Sequence, residues 1–111
     1  MRAARLRRGE DIARVRAEGI ARNDKLFSLR AVTTDLAAVR VAVVASRAVG
    51  GAVQRNRARR RVREALRVAL APRPAHPGAD LLVIARPAAL SAATKDLHDA
   101  VERELRRALA S

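Results

Sequence analysis

The sequence predicts an α+β domain in which helices lie against a small sheet. Three observations carry that expectation. Two short stretches, residues 26–32 and Val39–Ala45, have the alternation and β-branched content of strands. Two longer stretches, about 52–70 and 91–109, repeat their apolar residues at helical spacing. Glycines and prolines fall between these segments, where turns are needed.

Taken in order, residues 1–8 read as a basic arm expected to be mobile. Residues 10–18 read as a short helix, since Ile12 and Val15 are three apart and Gly19 is a natural stop. In 26–32, Phe27, Leu29 and Ala31 alternate with Ser28 and Arg30, as in a half-buried strand. Thr33, Thr34 and Asp35 form a polar turn before the second strand, Val39–Ala45, and the two are expected to pair as an antiparallel hairpin. After Arg47, Gly50 and Gly51 let the backbone turn sharply. The helix from about 52 to 70 ends at Pro72, Pro74, Pro77 and Gly78, a loop too short to separate domains. Residues 81–85 are a continuous apolar run, expected as an inner strand covered on both faces. Leu97, Val101, Leu105 and Leu109, at steps of four, mark the final helix. The 111 residues make one domain with one modest core.

Charge points to the partner. The net charge is +13, and 22 of the 24 basic residues are arginine. Residues 36–79 hold ten basic residues and one acid, a net of +9, whereas the last helix is balanced. Within residues 55–67, RNRARRRVREALR, seven of thirteen residues are arginine. At 100° per residue, Ala58, Val62, Ala65, Leu66 and Ala69 share one stripe. Asn56, Arg60, Arg63 and Arg67 gather opposite, with Arg59 and Arg61 on the flanks. A solvated charged face usually brings acids at i,i+4 spacing, and Glu64 alone does not balance this field. Such a face is the footprint of a nucleic-acid binder, because arginine grips phosphate oxygens two at a time.

Other classes fit less well. The chain has no cysteine, so no disulfide framework or thiolate metal site is expected. It has no apolar run of about 18 residues and no signal-peptide pattern, so a cytoplasmic protein without membrane contact is expected. The arginine stretch lacks the large apolar side chains of an interfacial helix. A protein nuclease needs clustered carboxylates or a poised histidine. Here Glu10 and Asp11 start a helix, Asp24, Asp35 and Asp80 read as turn or strand-edge residues, and His76 and His98 as surface residues. No catalytic or metal-binding residue is expected in the protein. Strands precede the basic helix, against a helix-turn-helix, and one phenylalanine cannot form an aromatic RNA platform. A protein that grips folded RNA through phosphates and shape remains.

The residues from Ser46 to Glu64, SRAVGGAVQRNRARRRVRE, resemble the signature of the bacterial ribonuclease P protein subunit, roughly S-K-K-x-G-x-A-V-x-R-N-R-x-K-R-x-x-R-E. Residues 6–11, LRRGED, and 80–87, DLLVIARP, agree on either side. The resemblance implies an α-β-β-β-α-β-α two-layer sandwich of the ribosomal S5 domain 2-like type. In it a left-handed β-α-β crossover carries the arginine helix, against the usual right-handed rule. It also implies removal of the 5′ leader from precursor tRNA, with the RNA subunit and its Mg2+ ions performing the hydrolysis. The partners are then ribonuclease P RNA and precursor tRNA, at one protein per RNA.

By the same resemblance, Arg55, Asn56, Arg57, Arg59, Arg60 and Arg63 contact the catalytic RNA. Arg47 matches the first lysine of the motif, Ala48 replaces the second, and Arg61 is expected to compensate for the lost charge. Arg67 completes the basic face. The family's leader-binding cleft, between the first helix and the sheet, corresponds to Ile12, Arg16, Phe27, Arg30 and Ser46. Ile12, Arg16 and Arg30 stand where aromatic residues are common in the family, so guanidinium stacking and phosphate contacts are expected from Arg16 and Arg30. The alternative is a structural, ribosomal-type RNA-binding protein with no role in tRNA processing. A general duplex binder would need the charge but not this ordered motif.

Overall fold

The strand that holds the apolar run 81–85, Gly78–Ala85, takes the centre of the sheet. The computed structural model describes residues 1–75 and 77–110, so His76 lies outside the described residues. Five strands, β1 (Ala4–Arg5), β2 (Ile20–Asn23), β3 (Phe27–Thr34), β4 (Val39–Ala45) and β5 (Gly78–Ala85), form one sheet in the order β1-β4-β5-β3-β2. Three helices accompany them, α1 (Gly9–Glu18), α2 (Ala52–Leu70) and α3 (Thr94–Leu109). Short 3-10 turns at Arg47–Val49 and Pro87–Leu90 precede α2 and α3.

The expected β3–β4 hairpin does not form. β5 inserts between the two strands, antiparallel to β3 and parallel to β4. The reason is burial. Leu81, Val83 and Ala85 face α2 and α3 in the main core, while Leu82 faces the other way, with Leu6, Val15 and Ala42 beneath α1. Only the central position covers both faces of such a run. Strand β5 also begins three residues before the apolar run, because Gly78, Ala79 and Asp80 continue the pairing with β3.

Helices divide between the two faces. Ala58, Val62, Ala65, Leu66 and Leu70 of α2 are buried against the sheet, as are Leu97, Ala100, Val101, Leu105 and Ala108 of α3. Each fully buried leucine or valine contributes about 1.5–3 kcal/mol. Helix α1 covers the opposite face with Val15 and Ile12.

The expected mobile arm is instead docked. Ala4 and Arg5 run parallel to Arg40 and Val41 of β4, the Leu6 N–H donates to the Val41 carbonyl at 2.9 Å, and the Leu6 side chain is buried. Without it β4 would present an unpaired edge, and Leu6 would lose its apolar seat. Asp80 is also not the edge residue expected. It is fully buried, and its carboxylate accepts from Arg14 of α1 and Arg40 of β4.

Candidate nucleic-acid interface

Helix α2 is launched from the end of β4 by a sharp turn. Gly50 has φ of 135°, in a region that L side chains rarely adopt, and the helix starts two residues later. Ser46 and Arg47 lie in that connection. The Ser46 N–H donates to the Ala85 carbonyl at 3.1 Å, which ties the turn to β5 and leaves Arg47 exposed.

The helix presents its cations as its periodicity predicts. Asn56, Arg57, Arg60, Arg63 and Arg67 are exposed, while Arg55 and Arg59 are half-buried on the flanks. The Arg59 guanidinium donates to the Asn56 side-chain oxygen, which orients both. Glu64 is held by Arg67 through two bonds of 2.6 and 3.0 Å. That bond holds the Glu64 carboxyl below its ordinary range. The one acid of this face therefore neutralises Arg67 and leaves the other arginines of the helix without an acid partner among the described residues. Arg63 registers the crowding. Lost solvent first, then repulsion from Arg5 and Arg59, pull its pKa below the ordinary arginine value. It remains a cation all the same.

Two assignments change. Arg61 does not face outward with its neighbours. Its two terminal nitrogens donate to the carbonyls of Ala89 and Ala92, each at 2.5 Å, and so pin α2 to the turn before α3. The helical angle of Arg61 puts it on the flank packed toward α3, where free carbonyls of that turn are available. Arg5 joins the cluster unannounced. The sequence showed only a basic N-terminus, and its pairing with Val41 is what brings it beside Arg63.

The second region lies on the α1 face of the sheet. Register places Arg30 opposite Leu82 and Leu82 opposite Ala42. Ile12 packs on the Leu82–Ala42 surface, and Arg16 is exposed on the same helix. A Cβ at Gly19 would stand 3.1 Å from Arg30 Cβ, so the end of α1 rests against that side chain. Ile12 and Arg30 thus share one face. Phe27 does not. Its side chain is fully buried in the core under α2 and α3, on the opposite face of the sheet. The strict alternation of β3 makes this unavoidable, since Phe27 and Arg30 are three residues apart. In the neighbouring row, Ser28 lies opposite Ile84 and Ile84 opposite Val44, an apolar strip that sequence reasoning missed. Val44 is 37% exposed; the alternation within Val39–Ala45 was the available signal.

Comparison with known proteins identifies the family and the fold. The family model for Ribonuclease P matches residues 1–109. The ribonuclease P protein component of Chloroflexus aurantiacus is 44% identical over 108 residues, covering 96% of this chain and 78% of the relative. That of Roseiflexus castenholzii is 43% identical over 108 residues, covering 96% and 87%. The structure of the RNase P protein from Thermotoga maritima superposes with a TM-score of 0.79 at 25% identity, covering 93% of this chain and 96% of that one. The shared α+β sandwich is consistent with the ribosomal S5 domain 2-like type. From its ordered arginine helix to its mixed sheet, the chain belongs to the Ribonuclease P protein family.

Proposed function

We propose that the chain is the protein subunit of a cytoplasmic ribonuclease P, the endoribonuclease that removes the 5′ leader of precursor tRNA. The observation that carries this is the arginine face of α2, in family order, with its single acid occupied by Arg67. Arg47, Arg55, Asn56, Arg57, Arg59, Arg60 and Arg63 bind the catalytic RNA, chiefly through phosphates, with one protein to each RNA. Arginine forks suit that task because each can meet two phosphate oxygens at about 2.7–2.9 Å.

The leader of precursor tRNA runs over the α1 face. Arg16 and Arg30 hold its phosphates and stack on its bases, while Val44 and Ile84 offer apolar contact. An aromatic cleft would select bases more strongly, at about 1–3 kcal/mol per stacked base. Leader binding here is therefore less base-selective and steeper in salt. Arg16→Ala with Arg30→Ala reduces the affinity gained from a leader; unchanged affinity and salt slope would exclude this role.

Hydrolysis belongs to the RNA subunit with Mg2+. Among the described residues no three His, Cys, Asp or Glu side chains stand together as a metal site, and the buried Asp80 is already occupied by two arginines. The protein binds, orients and neutralises charge. The deciding experiment is precursor-tRNA cleavage by the cognate RNA at low magnesium, with and without the protein. Rescue of correct 5′ cleavage, lost with Arg57→Ala plus Arg60→Ala, supports the reading. Tight RNA binding without rescue would leave a structural RNA-binding protein.

A further inference from the structure

A groove of about 360 Å³ opens between the N-terminal strand and α2. Its floor is apolar, with Val41 of β4 beside Leu66 of α2, and its rim is cationic, with Arg5, Arg60 and Arg63. The volume falls within the range of about 300–1,000 Å³ usual for small-ligand sites. Glu64 also lines it, but Arg67 engages both carboxylate oxygens. The rim thus has a net positive charge over a floor that water solvates poorly.

We propose that this groove takes one unpaired nucleotide of an RNA strand, its base on the Val41–Leu66 floor and its phosphate on Arg5 and Arg63. The occupant must have both an anionic and a flat apolar part. A bare phosphate leaves the floor uncovered, and a purely apolar ligand strips water from the arginines without replacing it. A nucleotide satisfies both, and guanidinium planes at the rim can stack on its base. Arg63, partly desolvated and repelled by Arg5 and Arg59, gains a counter-ion. The inference rests on the RNA-binding reading of α2 and carries the strand from that helix onto the β1–β4 edge.

The test titrates the full-length, 15N-labelled protein with adenosine 5′-monophosphate and, separately, with ribose 5-phosphate at equal ionic strength. Adenosine monophosphate binds about fivefold more tightly, the low end of a base-stacking gain, and shifts the amides of Ala3, Arg5 and Val41. Ala3→Glu, on the groove wall, abolishes that preference, and Arg5→Gln weakens both ligands. Equal affinity for the two phosphates, or shifts confined to α1 and Arg30, overturns the proposal. Affinity for the ribonuclease P RNA is measured on the same samples. RNA binding without a nucleotide preference overturns the groove alone, whereas loss of RNA binding in the wild type overturns the parent reading as well.

Discussion

Arg40 and Asp80 face each other across β4 and β5 in a two-pronged ion pair, with Nε 2.8 Å from Oδ1 and a terminal nitrogen 2.7 Å from Oδ2. Arg14 reaches the same Oδ2 from α1 at 2.8 Å. The bond to Asp80 raises the Arg40 pKa, against the cost of burial, and the charges of Asp80 and Asp11 add to it. This cluster fastens α1 to the sheet and so fixes the face proposed for the leader. A buried carboxylate is tolerated only while such partners remain.

Asp80→Ala should therefore destabilise the fold by about 3 kcal/mol, the low end for a broken buried pair, because the Arg14 side chain is 38% exposed and can turn to water. Arg14→Ala should cost less, since Arg40 still satisfies both oxygens of Asp80. Urea unfolding of the two variants measures the difference.

Arg60, Arg61 and Arg63 are close in sequence and opposite in expected effect. Arg60→Ala and Arg63→Ala should each lower the salt dependence of RNA binding by about one unit of slope, with no loss of melting temperature. Arg61→Ala should cost about 2 kcal/mol of stability, from two charge-assisted bonds to carbonyls, and leave the slope nearly unchanged. Parallel melting and RNA-titration series separate the two roles.

Glu64→Gln frees Arg67, so RNA affinity should rise and the salt slope steepen by about one unit. Its stability effect has a definite sign with pH. A carboxyl held below its ordinary range stabilises the fold above that range, and the contribution fades as pH falls through the lowered value. The melting-temperature gap between wild type and Glu64→Gln should accordingly close between neutral pH and the acid side of the glutamate range.

Phe27→Leu tests which face the phenylalanine serves. A shortened side chain at this buried site should cost about 1–2 kcal/mol, and the affinity difference between leader-bearing and leaderless tRNA should not change. A selective loss of leader affinity would return Phe27 to the cleft.

How much of this was legible depended on the range of the interaction. The bounds of α2 and β4 were readable because the signals are local: Gly51 before the helix, Pro72 after it, and a β-branched run between polar turns. Strand pairing was not. Nothing near residues 33–38 says that residues 78–85 will separate β3 from β4; that follows from burying both faces of a distant run. Asp80 looked like a surface residue because its two arginine partners lie 40 and 66 positions away. Arg61 looked like its neighbours because its acceptors are carbonyls, which every sequence contains. Phe27 was the avoidable error, since the alternation that assigned it to the core also excluded it from the face of Arg30.

The position of β5 has a consequence for the order of events during synthesis. The strands on either side of it, β3 and β4, leave the ribosome first, yet neither meets its central neighbour until residues 78–85 follow. The arginine helix lies between β4 and β5 in the chain, so the most cationic segment emerges before the sheet that anchors it can close. For that interval the nascent chain is an open polycation beside ribosomal RNA. Contacts this distant in sequence also slow closure. Soluble anions or the cognate RNA, present while the chain grows, should therefore raise the yield of folded protein as well as the stability of the finished one.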